Sequence, residues 1–131
     1  MAHTRLWILI LLAGLNSCTK KEITGETYNS PSGQYILQVE IGDKENPDNK
    51  YEIRFRLFDN DGDELDVTGT RASAVMNYAV FWDTDGTIVL YSSDIGVRSW
   101  FVTSDEKLRP GPVDYKLEKK AEEIFNKKMG R

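Results

Sequence analysis

The chain has 131 residues, 17 of them basic and 21 acidic for a formal charge of −4, with a single histidine (His3) and a single cysteine (Cys18). One cysteine excludes an intramolecular disulfide, and a mildly acidic chain with no basic run lacks the phosphate-neutralising surface that nucleic-acid binding needs. The length suits one domain, which at this size buries roughly 60–70% of its unfolded surface without needing staples.

Arg5 gives a short positive start, and Leu6 to Leu15 follow as an apolar run. A membrane-spanning helix needs roughly 20 such residues, whereas the hydrophobic region of a secretory signal needs only about 7–15. The run closes on Leu15-Asn16-Ser17-Cys18, which resembles the lipobox of bacterial lipoproteins. That resemblance implies cleavage before Cys18, a diacylglycerol on its thiol, and attachment to a membrane of the bacterial cell envelope through that lipid. Read from the residues alone, the segment also fits an uncleaved signal anchor, or a short buried helix with an ordinary core cysteine. In Gram-negative lipoproteins an Asp after the lipidated Cys favours the inner membrane, so Thr19 leans the resemblance towards the outer membrane and leaves the leaflet open. Cleavage would remove His3 and Arg5, taking the charge from −4 to −5 and leaving no imidazole and no free thiol. Ser-His-Asp and Cys-His nucleophiles are then excluded, as are His/Cys zinc sites.

Thr19 to Ser32 is polar, with Gly25, Asn29, Ser30 and Pro31 spread through it. It reads as a flexible tether with a reach of about 20 Å. The expected organisation is a signal peptide at 1–17, a lipidated Cys and tether at 18–32, and a folded domain at 33–131. From Gly33 the pattern has a period of two: Tyr35, Leu37, Val39 and Ile41 alternate with polar residues, and Tyr51, Ile53, Phe55 and Leu57 repeat the alternation against Glu52, Arg54 and Arg56. Such strands build an antiparallel sheet solvated on one side. Leu65 and Val67 mark a short strand, and Thr68 to Ser73 a connection. Val75 to Trp82 is apolar on both faces and is expected at the centre of the fold. Asp83-Thr84-Asp85-Gly86 turns the chain into Ile88 to Tyr91 as a hairpin, and Val97 to Val102 forms the last strand. Arg109-Pro110-Gly111-Pro112 is expected to stop the sheet and open a helix. In that helix Val113, Leu117, Ala121, Ile124 and Phe125 form one apolar stripe. The predicted fold is mainly β: a single antiparallel sheet or small sandwich of about six strands with one C-terminal amphipathic helix.

Two turns, Ser30-Pro31-Ser32-Gly33-Gln34-Tyr35-Ile36 and Trp82-Asp83-Thr84-Asp85-Gly86-Thr87-Ile88-Val89, look like the openings of blades in TolB-type β-propellers. A propeller needs at least four blades and this chain holds at most two, so what is shared is hairpin chemistry. Asp59, Asp61, Asp83 and Asp85 invite a calcium reading. Counted from Asp59, however, the EF-hand positions for glycine and the bidentate Glu fall on Glu64 and Thr70, and hairpin turns use Asp and Gly for their own geometry. Arg54, Arg56, Arg98 and Trp100 make the remaining constellation. If their strands expose one side of a sheet, these hot-spot residue types form a protein-binding face; otherwise Trp100 packs inside and the arginines pair across the ladder. No cofactor is expected. The expected function is a non-catalytic, membrane-anchored binding or accessory module of the envelope with a protein partner, one version being an inhibitor or immunity-type protein and another a small subunit of an envelope assembly. The alternative is a small-ligand or calcium-binding lipoprotein.

Overall fold

A computed structural model describes residues 21–131. The apolar run and Cys18 lie outside the described residues. The first sheet takes β1 (Glu26–Asn29), β2 (Tyr35–Ile41), β3 (Glu52–Asp59) and β4 (Glu64–Ser73), and the second takes β5 (Tyr78–Trp82), β6 (Ile88–Ser92), β7 (Gly96–Val102) and β8 (Leu108–Gly111). Both are antiparallel meanders, in the orders β1-β2-β3-β4 and β5-β6-β7-β8, and helix α1 (Tyr115–Lys128) follows. The two turns with related sequence hold the same place in each meander, between its first and second strands.

Alternation puts Leu37, Val39, Ile53, Phe55 and Leu57 on the inner face of the first sheet. They pack against Val80, Ile88, Leu90 and Trp100 of the second in one core. Phe55 meets Trp100 edge-on, with ring centroids 4.9 Å apart at 80°, an arrangement that the aromatic quadrupole favours. Side chains also join the sheet margins. The Trp82 indole N–H donates to the Tyr28 carbonyl at 2.9 Å and the Tyr78 hydroxyl bonds Glu26 at 3.2 Å, linking β5 to β1. On the other margin the Leu108 N–H donates to Asp66 at 2.8 Å and Lys107 to the Leu65 carbonyl at 3.0 Å, linking β8 to β4.

Eight strands stand where about six were expected, and four readings are corrected. The tether does not extend to Ser32, because Glu26–Asn29 is an edge strand in register with Ile36–Val39. Thr68 to Ser73 continues β4 through a bulge. Arg109-Pro110-Gly111 belongs to β8, where an edge position tolerates the missing N–H of Pro110. Val75 to Trp82 narrows to β5, which is an edge strand by hydrogen bonding. Its two faces are covered as the pattern requires, Val80 by the core and Ala79 beneath α1, but coverage of faces does not place a strand centrally in its ladder.

The C-terminal helix forms, but it starts at Tyr115 rather than at Pro112, so Val113 of the expected stripe precedes it. Asp114 caps it, accepting the Leu117 N–H at 2.8 Å, and Lys127 and Lys128 in the last turn suit the dipole. Ala121 and Phe125 are buried, while Val113, Leu117 and Ile124 are half-buried beside them. Phe125 stacks on Tyr91 of β6 with centroids 4.4 Å apart, so α1 roofs the outward face of β5 and β6.

The molecule has two unlike ends. One, the hairpin end, carries the turns at 30–34, 60–63, 83–87 and 103–107 together with the start of α1. The other, the far end, carries the segments 42–51, 74–77 and 93–95 and the end of α1.

Candidate functional site

The structure does not bring Arg54, Arg56, Arg98 and Trp100 to one surface. Trp100 is in register with Ile88 on the inward face and only 5% exposed. Arg54 lies on the outward face of the other sheet, 3.2 Å from Glu52 and 3.4 Å from Asp43. Arg56 forks onto both oxygens of Glu40 at 3.1 and 3.0 Å and also pairs with Glu64. The Glu40 hydrogen bond is the main cause that raises the Arg56 guanidinium still further above its ordinary pKa. Arg98 is exposed on β7. Carboxylates thus occupy two of the arginines, across the ladder for Arg56 and from its own strand and the β2–β3 loop for Arg54, and the anchor of the expected binding face is core.

The four aspartates sit in turns that use their oxygens. Asp59 accepts the N–H groups of Asp61 at 3.0 Å and Asp63 at 2.9 Å, and Asp85 accepts the Thr87 N–H at 3.0 Å. Asp83 pairs with Lys120 of α1, whose hydrogen bond holds its carboxyl below the ordinary 3.8. The Asp61 carbonyl accepts from Lys21. Among the described residues no group of three or more His, Cys, Asp or Glu is placed to hold a metal ion, so the calcium reading finds no ligand cage there.

Three other features are candidates for function. The first is the seat of Lys21. Its N–H donates to the Asp61 carbonyl at 3.0 Å and its ammonium bonds Asp63 at 2.8 Å, which raises the pKa of the ammonium. Gly62, at φ 87°, leaves the room this needs: a Cβ there would stand 2.6 Å from the Lys21 carbonyl oxygen. The chain then crosses the outward face of the first sheet, where Gln38 donates to the Thr24 carbonyl at 2.9 Å, and turns at Gly25 into β1.

The second is a cleft of about 500 Å³ at the hairpin end, between the first turns of α1, the β5–β6 turn and the outward face of β7 and β8. Phe101, 44% exposed, lies on its floor. Gly111 is beside it, where a Cβ would press on Ser99 Oγ at 3.0 Å and the Phe101 ring at 3.3 Å. Thr84, Asp85 and Thr87 form a rim shared with a second hollow that reaches Tyr35 and Trp82. Aromatic floor and hydroxyl-carboxylate rim suit a small polar ligand with one apolar face.

The third is the far end. Ile41, Tyr51, Val75 and Met76 are 49, 52, 69 and 42% exposed. The Ala74 N–H donates to the Tyr51 carbonyl at 2.7 Å and Ile41 pairs with Ile53, which gathers the segments that carry them at this end. Arg71, exposed, lines a shallow hollow with Tyr51 and Asp48 and holds φ 66° in the bulge of β4.

Alternation could not find these features. Phe101 reads as one more strand residue until α1 is seen to stop short of it, and Lys21 reads as polar tether. Arg71 carries no local signal, because the bulge arises from how β3 and β4 are paired. No protein-family model matches the chain, and neither a curated protein nor a solved structure is similar to it.

Proposed function

We propose that the chain is a non-catalytic lipoprotein of a bacterial cell envelope, anchored through a lipidated Cys18, with the outer membrane favoured, and that its folded body binds a protein partner. The observation that carries this is the apolar run Leu6 to Leu15 and its ending Leu15-Asn16-Ser17-Cys18; Lys21, three residues further on, is bonded to the hairpin between β3 and β4. The mature chain would hold neither histidine nor free thiol, which supports binding over catalysis. Replacing Cys18 with Ala tests the anchor. Wild-type protein should fractionate with membranes and carry diacylglycerol on Cys18 by mass spectrometry, and the variant should lose both. Membrane association of the variant equal to wild type, with residues 1–17 retained, would refute it.

The cleft supports a second reading, a small-ligand module. Thermal melts with a panel of neutral oligosaccharides test it, since a ligand that binds only the native state raises the midpoint. A rise lost in Phe101→Ala would favour this reading, and flat midpoints across the panel would remove it.

A further inference from the structure

We propose that the protein stands on the membrane by its hairpin end and docks, with its far end, another envelope protein that presents an apolar knob flanked by a carboxylate. The proposal rests on the lipid anchor at Cys18 and adds to it an orientation, a surface and a partner chemistry.

The orientation follows from chain length. Cys18 is three positions before Lys21, and a fully extended chain spans at most about 3.6 Å per residue, hence about 11 Å here. Lys21 is fixed to the hairpin between β3 and β4 by two hydrogen bonds and by its seat over Gly62. An acylated Cys18 therefore holds the bilayer next to that hairpin. β3, with eight residues, carries the chain roughly 25 Å away from it at about 3.3 Å per residue. The far end then points away from the lipid, and the bilayer cannot be what covers Ile41, Tyr51, Val75 and Met76.

Tyr51 and Met76, with Arg71, belong to types that are enriched in protein contact surfaces, and Ile41 and Val75 add exposed apolar area at the same end. Arg71 supplies the polar part. A left-handed backbone is uncommon for a residue with a Cβ, and here it is held from several sides. The Arg71 N–H donates to Glu52 at 3.1 Å, Thr70 Oγ1 donates to the Ile53 carbonyl at 2.6 Å, and the Ala72 N–H donates to Thr70 Oγ1 at 3.2 Å. Gly69 makes room for the Glu52 carboxylate, which a Cβ would meet at 2.6 Å. A bulge re-aims a side chain, and this one leaves Arg71 exposed in a hollow that it shares with Tyr51. Glu52 is engaged by Arg54 and by the Arg71 backbone. Among the described residues Arg71 and Lys50 have no ion-pair partner, and the Lys50 ammonium lies 5.1 Å over the Tyr51 ring. Two unpaired cations around an apolar centre fit a partner carboxylate, which a guanidinium grips with charge-assisted hydrogen bonds.

The test is site-specific photocrosslinking in the full-length protein in its own envelope, with p-benzoylphenylalanine at Val75 and, separately, at Asn60 of the β3–β4 hairpin. The expected result is one discrete protein adduct from Val75 and none of that mass from Asn60. Its yield should fall at least about fivefold with Arg71→Glu or Met76→Asp, and the crosslinked partner peptide should contain Asp or Glu. Melts of Arg71→Glu and of the milder Arg71→Gln ensure that a loss is read only from folded protein. No adduct from Val75, an adduct of two copies of this chain, a lipid adduct at Val75, the same adduct from Asn60, or a yield indifferent to folded Arg71 variants would each overturn the proposal. The mass of the N-terminal peptide in the same sample separates its failure from that of the anchor. Unacylated Cys18 refutes the anchor, whereas acylated Cys18 without a Val75 adduct refutes the docking surface alone.

Discussion

The two sheets share one meander order and one core, yet their outward faces are finished in opposite ways. The first turns Gln38, Glu40, Arg54 and Arg56 outward, and its charges pair among themselves, Arg56 across the ladder with Glu40 and Arg54 along its own strand with Glu52. The second turns Ala79, Val89, Tyr91 and Phe101 outward, and α1 lies over β5 and β6 without reaching Phe101. A charged outer face is satisfied by water and by itself. An apolar one needs a roof, and whatever the roof leaves open becomes a cleft. The same topology thus yields an inert face on one sheet and a candidate site on the other, and side-chain chemistry alone makes the difference.

Removing the seam common to both sheets should cost most. Trp100→Ala leaves Phe55 without its edge-on partner in the core, and the expected loss is about 3–5 kcal/mol in denaturant melts. A loss under about 1 kcal/mol would mean that the sheets do not share this core. Taking away the roof comes next. Phe125→Ala should cost about 3 kcal/mol through the lost stack on Tyr91, while the first sheet keeps its amide protection in hydrogen exchange.

The margin between the sheets should show in alkaline titration. Burial, then Glu26, pushes the hydroxyls of Tyr28 and Tyr78 up to about 12 from the ordinary 10. The unfolded chain releases these protons first, so stability is unaffected below pH 10 and falls as pH rises from 10 towards 12. Melts at pH 9 and 11.5 should show that loss, and Phe at both positions should reduce it. Smallest of all should be the finish of the first sheet. Arg56→Gln opens the Glu40 and Glu64 pairs, which are partly solvated, and should cost no more than about 1 kcal/mol. A loss as large as that of Phe125→Ala would erase the contrast between the two outer faces.

What the sequence made legible follows from burial. β2 and β3 each have an inward face of large apolar residues against polar neighbours, so a period of two exposes them; β6 and β7 show as short apolar runs after turns, and the helical stripe of Ala121 and Phe125 stands out by its own spacing. β1 (Glu26–Asn29) and β8 (Leu108–Gly111) are four-residue edge strands with mostly exposed side chains, and alternation has little to act on there. Arg98 and Trp100 share a parity, and parity gives a side but not a depth: Arg98 emerges at the margin while Trp100 lies inside. The cleft is assembled from β5–β6, β7, β8 and α1, and the far-end patch from three segments. Neither is local in sequence, so no motif could announce them.

The central proposal is that a lipid on Cys18 would place the hairpin end at the membrane and the far end away from it. Bimane attached to Asn60→Cys or to Val75→Cys in the acylated protein, reconstituted in vesicles with nitroxide-labelled headgroups, measures this directly. Strong quenching at position 60 with little at position 75 is the predicted result. Equal quenching at the two positions, or stronger quenching at 75, would contradict the account.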